Sequence, residues 1–520
     1  MNEKPEMPEI NKKTENNEKL DPMWNDIKKS NDYWHDLKDK QMVTAGMTAL
    51  LLAVIFGFFF SRFLTTFPQL AFFLFSIIAL SSSYICLKKL NWLINPRLFF
   101  WAIPIVVISS FNAIFQLAIF HYFNVVIIII LFAIIIIGAT NKEKIQYESL
   151  TYWRKIGRVT LSHFSAGINL QKRLSTMTKL TKNSTLSRIL LGIACALPVS
   201  GIILVLMLSG DQVFLALTTQ FFQNIELNFF VFIWRLIVIT FMTVYFSGFL
   251  YQAHAIKTSQ VIVPPKNLDT IIAVSFLAVL NVLFAVFCYI QFAFLFTGGA
   301  NTLPQGVTYS EYAREGFFQL LLITIINFGV IIIFMKYFQK MTPSIKFMLL
   351  LLSIFTGVLI ASSFYRMNLY MDVFGFTPLR MMVVTFLAME SFFLIATIYA
   401  LFKPRFNIFK FYLMVGLVFF IIANFTSTSF VSGRLNTIWH FNPHREYVFD
   451  EHSHFLGIDN VRDLILIHDH ATDLSVQMNI AHHLHVLRNR HDNAPWQNWS
   501  LLQHIHMTHL HQFFARSRLR

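Results

Sequence analysis

The stretch Val125-Val-Ile-Ile-Ile-Ile-Leu-Phe-Ala-Ile-Ile-Ile-Ile-Gly138 contains no charge, no proline and no alternation of polar with apolar residues. A helix or strand at the surface of a soluble protein keeps a polar face, so a run that is apolar all round belongs in a core or in lipid. With its flanks, His121 to Thr140, it reaches the roughly 20 residues that a helix needs to cross the hydrocarbon of a bilayer.

The same pattern recurs along the chain. Apolar stretches near Val43 to Phe63, Phe67 to Leu87, Leu98 to Leu117, Ile189 to Ser209, Phe230 to Tyr251, Leu268 to Phe296, Glu315 to Phe338, Lys346 to Tyr365, Pro378 to Leu401 and Ile408 to Ser427 bring the total to about eleven. In hydrocarbon each backbone N–H and C=O must find its partner within the segment or in a closed barrel, and segments of this length are helices. The expected fold is therefore all-α, a polytopic transmembrane bundle. Composition agrees: 55% of the 520 residues are apolar, 13% are charged and 58 are Phe.

Charge sets an expected orientation, because cytoplasmic loops concentrate Lys and Arg. Eight such residues precede the first span, and ten lie between Asn141 and Arg188, whereas the opposite loops hold Arg62, Arg314, Arg366 and Arg380. The amino terminus is thus expected in the cytoplasm and the carboxyl terminus outside. Three units follow: a hydrophilic cytoplasmic tail over 1–42, a transmembrane domain over 43–428 with the basic cytoplasmic loop 141–188, and an extracytoplasmic region over 429–520 of mixed or unknown structure. Tyr152, Trp153, Ile156, Val159 and Leu161 are spaced as an apolar stripe expected to rest on anionic lipid. Asp211 to Phe229 is expected as an interfacial helix, and Trp24 to Leu37 as another ahead of the first span.

The net charge of +15 does not point to nucleic acid, since basic residues separated by membrane spans cannot line one groove for a phosphate backbone. Cys86, Cys195 and Cys288 fall in apolar blocks, where a thiol behaves as a small hydrophobe. No phosphate-binding loop, dinucleotide glycine pattern, nucleophile elbow or kinase signature occurs, so no cofactor is expected and soluble-type enzymatic activity is disfavoured.

Two segments carry more than hydropathy: Leu303-Pro-Gln-Gly-Val-Thr-Tyr-Ser-Glu-Tyr-Ala-Arg-Glu-Gly-Phe-Phe-Gln-Leu320 and Ala361-Ser-Ser-Phe-Tyr-Arg-Met-Asn-Leu-Tyr-Met-Asp-Val-Phe-Gly-Phe-Thr-Pro-Leu-Arg380. With the order of spans from about Ile189 to Thr428, the chain resembles the bacterial membrane family called domain of unknown function 4173. The resemblance implies a protein of the bacterial cytoplasmic (inner) membrane and brings no reaction, ligand or catalytic residue. The C-terminal region departs from that pattern, retaining only fragments such as Phe441-Asn442-Pro443 and Trp496 to Trp499.

Candidate site residues are the few ionisable groups at or within the membrane, where a charge survives only when paired or useful. Glu311, Arg314, Arg366, Asp372 and Arg380 fall on two loops of one side and are expected to form a polar cluster, with Tyr309, Tyr312, Tyr365 and Tyr370 around it. The competing reading of that cluster is a set of salt bridges fixing loop geometry. Arg235 and Glu390 lie inside spans; snorkelling of Arg235 is the simplest outcome, a mutual ion pair the next and a proton-coupling role the third. Fourteen of 18 histidines follow Thr428. His440 with His444 and His506 with His509 have the spacing of paired ligands, but no Cys accompanies them and no zinc motif occurs, so no metal centre is expected. Protonation of the histidine clusters near pH 6 stays open as a second role.

Three function classes remain. The favoured one is a non-catalytic envelope sensor or scaffold, partnered by the lipid bilayer and an envelope protein. A transporter or channel for an unidentified solute is the alternative, followed by a membrane enzyme acting on lipid or envelope precursors.

Overall fold

The computed structural model describes residues 39–60, 67–116, 120–140, some positions between 152 and 171, 228–255, 269–291, 309–337, 342–439 except 404, and 456–517 except 472, 493 and 494. No strand occurs among them. In chain order the helices are α1 (Asp39–Phe59), α2 (Gln69–Lys89), α3 (Ala102–Ile114, preceded by a 3-10 turn Pro96–Trp101), α4 (Phe120–Thr140), α5 (Asn228–Ala255), α6 (Thr270–Gln291) and α7 (Tyr309–Tyr337). They continue as α8 (Pro343–Phe374), α9 (Pro378–Phe402), α10 (Ile408–Thr426), α11 (Ser429–Trp439), α12 (Val461–His470), α13 (Leu474–His491) and α14 (Leu501–Ser517).

Eight of the described helices are long and apolar enough to cross a membrane: α1 to α4, counting the 3-10 turn with α3, together with α6, α8, α9 and α10. Shorter apolar stretches, Trp234–Leu250 in α5 and Gln319–Met335 in α7, match two further expected spans. The chain is a multi-pass membrane protein. The expected span Ile189 to Ser209, the interfacial helix Asp211 to Phe229 and the segment Trp24 to Leu37 lie outside the described residues.

Five helices close a ring, with α1 packed on both α2 and α5, α2 on α3, α3 on α4, and α4 on α5. A second group is built around α8, which packs on α6, α7 and α9. Helix α10 joins the two, lying against α9 on one side and α3 on the other. At its contact with the ring, Phe420 meets Phe120 and Phe425 meets Phe115.

Lipid offers no hydrophobic drive between helices, so packing and interhelical hydrogen bonds specify the contacts. Several polar residues within the spans make such bonds. Asn281 Nδ2 on α6 donates to the Met348 carbonyl of α8 (3.1 Å), and Asn327 Nδ2 on α7 donates to Thr356 Oγ1 of α8 (3.0 Å). The hydroxyls of Thr385 and Thr426 bond across α9 and α10 (2.9 Å), as do those of Thr397 and Tyr412. Asn124 Nδ2 on α4 donates to Asn424 Oδ1 on α10 (2.8 Å). Asn124→Ala removes that link while Asn424 keeps its bond to the Phe420 carbonyl. The expected result is a stability loss of about 0.6–2 kcal/mol, measured as the unfolding midpoint in detergent.

Helix α8, with 32 residues, is about 48 Å long at ~1.5 Å per residue, well beyond the ~30 Å hydrocarbon core. Thr342 caps its start, accepting a bond from the Ile345 N–H, with Pro343 in the first turn. Arg366 and Asp372 lie in its last turns, and Asp372 lines the cleft described below.

Helices α12 to α14 enclose a core of their own, with Val461, Leu464 and Ile467 against Ile480, Leu484, Leu487 and Leu510. Sequence left helix or strand open here; the structure is helical. These helices sit on the end of the bundle where α1, α3, α8 and α10 finish, hereafter the cap end. Trp496 lies on the rings of Phe58 and Phe59, α14 touches α3, and the Gln116 N–H after α3 donates to Asp459 Oδ2 (2.8 Å).

At the opposite end, Tyr152 and Ile156 are buried with Leu87, Leu90, Trp92, Ile134 and Phe249. The expected bilayer-surface stripe thus packs at these two positions, with Trp153 partly buried beside them, onto the ends of α2, α4 and α5. Buried apolar neighbours offer those side chains closer packing than a headgroup layer does. Val159 and Leu161 lie outside the described residues.

Candidate functional site

The turn between α8 and α9 is Gly375-Phe376-Thr377. Gly375 has φ 73° and ψ −174°, a conformation open in practice only to glycine. Thr377 caps α9 by accepting from the Arg380 N–H (3.4 Å), and Pro378 follows in the first turn. The Phe376 backbone is held on both sides by one side chain of α11. Asn436 Oδ1 accepts from the Phe376 N–H (2.6 Å), and Asn436 Nδ2 donates to the Phe376 carbonyl (2.7 Å).

Arg380 turns back over the same turn. Its Nη1 donates to the carbonyls of Phe374 and Gly375, both at 2.7 Å, and its guanidinium lies 4.2 Å from the centre of the Tyr370 ring. A cation at helix-terminal carbonyls satisfies groups that the helix leaves open and complements the helix dipole. For Arg380 the expected polar cluster therefore resolves into a lock on loop geometry. Beside it a cleft of about 430 Å³ is lined by Asn368, Met371, Asp372, Phe376 and Leu435, with Asp372 exposed. Arg366 is buried in α8, one helical turn before Tyr370. Glu311 and Arg314 belong to the first turns of α7, and their side chains lie outside the described residues.

The two intramembrane charges do not meet. Arg235 lies 5.9 Å from the Phe58 ring centre toward the cap end, a cation–π contact. Glu390 is 2% exposed and accepts at Oε1 from the Thr324 hydroxyl of α7 (2.8 Å). Their helices explain the separation, since α5 packs on α1 and α4 while α9 packs on α7, α8, α10 and α11. An ion pair between them would need α5 and α9 to be neighbours.

His440 and His444 lie outside the described residues. His506 Nδ1 bonds to the Ile458 carbonyl (2.6 Å), and its ring centre is 5.9 Å from that of His509. Among the described residues no group of three or more His, Cys, Asp or Glu is placed to hold a metal ion. Burial pushes the His506 imidazole below the usual histidine value, and burial with nearby Arg490 takes His491 down to about 4. His491 therefore stays neutral near pH 6, and the histidine-rich region is not a uniform proton sensor.

Sequence reasoning missed the residues that seat the cap. Asp459 and Asn460 are both buried; Asn460 Nδ2 donates to the Ser429 carbonyl of α11 (2.7 Å), close against Gly433. Arg434 pairs with Asp463 (3.1 Å) on the flank of that contact. Burial raises the Asp459 carboxyl to about 7, the Gln116 N–H only partly offsetting it. A raised value means that the docked state binds a proton that the free carboxyl, at 3.8, has released. Docking is then strongest below about pH 4 and weakens by about 2–4 kcal/mol as pH rises to about 7, levelling beyond. Protease release of the cap at about pH 5 and about pH 8 measures this slope, which Asp459→Asn is expected to flatten.

The family model Domain of unknown function (DUF4153) matches residues 102–434, more than half of the chain. This protein belongs to the DUF4153 family. The number differs from the 4173 of the sequence resemblance; both denote domains of unknown function. The DUF4153 region runs from α3 into α11, takes in the Gly375 turn, Arg380 and Gly433, and ends two residues before Asn436. Helices α12 to α14 lie beyond it. The comparisons with curated proteins and with solved structures match nothing.

Proposed function

We propose that this DUF4153 protein is a non-catalytic sensor or scaffold of the bacterial cytoplasmic membrane, with its amino terminus in the cytoplasm and its C-terminal helices outside as a docking cap. The orientation draws support from the end opposite the cap, which carries Lys88, Lys89, Arg97, Lys346, Lys403, Arg405 and Lys410, as cytoplasmic ends do. The observation that carries the function is the cap itself. One side is seated on the bundle through Asp459, Asn460 and Trp496, while Leu474, Met478 and Val486 of α13, at positions i, i+4 and i+12, stand 69%, 65% and 47% exposed. Such a stripe is a helix-in-groove surface for an envelope protein.

A photocrosslinking residue at Met478 in living cells is expected to give one discrete adduct that disappears with Val486→Glu. Adducts that are absent, or unchanged by that substitution, contradict the reading.

One observation favours the alternative of solute transport. Glu390 Oε2 has no hydrogen-bond partner among the described residues, although the side chain is buried within a span, and such groups mark ion or proton paths in transporters. Under the scaffold reading Glu390→Gln leaves function intact, because the amide oxygen still accepts from Thr324; under the transport reading it abolishes uptake.

A further inference from the structure

We propose that the cavity inside the ring of α1 to α5 is a binding site for an acyl chain of a membrane lipid, entered sideways between α4 and α5. The cavity measures about 310 Å³ and lies among α1, α2, α4 and α5, with Phe56, Phe75, Ala79, Ile129, Met242 and Phe246 among the residues that line it. None of the described lining residues is charged, and Ser76, one of the few with a hydroxyl, donates to the Phe72 carbonyl of its own helix (2.8 Å). Water needs two to four polar partners to occupy a cavity, and an apolar cavity of about 150 Å³ stays dry and takes up benzene. A space of this size and lining therefore selects hydrocarbon.

The surroundings say which hydrocarbon. Helices α4 and α5 meet in their halves remote from the cap, where Ile134 and Ile137 pack with Phe249 and Leu250. Toward the cap end Val126 of α4 is about half exposed. In a spanning bundle that side faces the bilayer, so a molecule reaches the cavity from the lipid phase. The rings of Phe56, Phe75 and Phe246 meet edge-on or tilted at 5.4 to 6.4 Å between centres, leaving an aromatic wall suited to a flexible chain. Because the chain leaves one apolar medium for another, the gain comes from dispersion against this wall.

The test uses the full chain in vesicles of phosphatidylethanolamine and phosphatidylglycerol, doped with a phosphatidylglycerol that carries a diazirine midway along one acyl chain. Irradiation and peptide mass spectrometry are expected to place label on Phe75, Ile129 and Phe246 as well as on exposed positions of α6 such as Ile272 and Val279. Ala79→Trp fills the space and is expected to abolish the first set while leaving the second. If Ala79→Trp does not fold, the smaller change Ile129→Phe gives the same comparison. Wild-type label confined to exposed positions such as those of α6, or lining label that survives substitution in folded protein, overturns the proposal.

Discussion

Gly375→Val is expected to destabilise the protein by about 3–5 kcal/mol and to deplete it from the membrane fraction. Two effects act at one atom. A β-branched residue is strained at φ 73°, and the new Cβ would stand 2.8 Å from Asn436 Oδ1. Asn436 must then move, and the Phe376 N–H and carbonyl lose the bonds that pin the α8–α9 turn to α11. Unpaired backbone groups in a part-buried turn cost about 1–3 kcal/mol, so the loss exceeds that of the strain alone. The denaturation midpoint and the membrane-bound amount measure it; a Gly375→Val protein with the wild-type midpoint contradicts this account of the turn. Asn436→Ala is expected to show a smaller loss, since the glycine conformation survives.

The second large effect falls on the cap. Gly433 is helical and carries no backbone strain, yet a Cβ there would lie 2.0 Å from Asn460 Nδ2 and 2.7 Å from its Cγ. Asn460 is fully buried and bonded to the Ser429 carbonyl, so it has no free space to enter. Gly433→Leu is therefore expected to release the cap from the bundle while the spanning helices stay folded. Limited proteolysis reads this as rapid cleavage after α11 with an intact membrane fragment. Gly457, where an added Cβ meets nothing within 4 Å, supplies the control: Gly457→Ala is expected to cleave like wild type. Equal protease resistance of Gly433→Leu and wild type contradicts the seating of the cap through Asn460.

What could be read from sequence follows the reach of each interaction. The run Val125 to Gly138 declares a spanning helix because lipid acts on every residue alike, and α4 covers it. The span expected over Leu98 to Leu117 divides into a 3-10 turn and a shorter helix, with Pro96 lacking an N–H to continue the helix backward. Arg380 stood out as a charge at a span's edge, but its partners did not, because they are carbonyls brought round by the Gly375 turn. The link between Gln116 and Asp459 joins residues 343 positions apart, and no local pattern encodes it. Asp459 and Asn460 look like ordinary turn residues in a polar segment. Only the packing of α11 and α14 around them makes them buried. Histidine clustering misled in the opposite direction, since residues adjacent in sequence divide between a buried contact, as in His506, and exposed positions, as in His504.

In the proposed orientation the multi-pass bundle holds its basic end and its cap on opposite sides of one membrane. Single cysteines at Lys403 and at exposed Asn489, in a chain with Cys86, Cys195 and Cys288 replaced, test it with a membrane-impermeant maleimide on intact cells. The account predicts labelling of Asn489→Cys in intact cells and of Lys403→Cys only after permeabilisation. Labelling of both positions, of neither, or in the reverse order contradicts it.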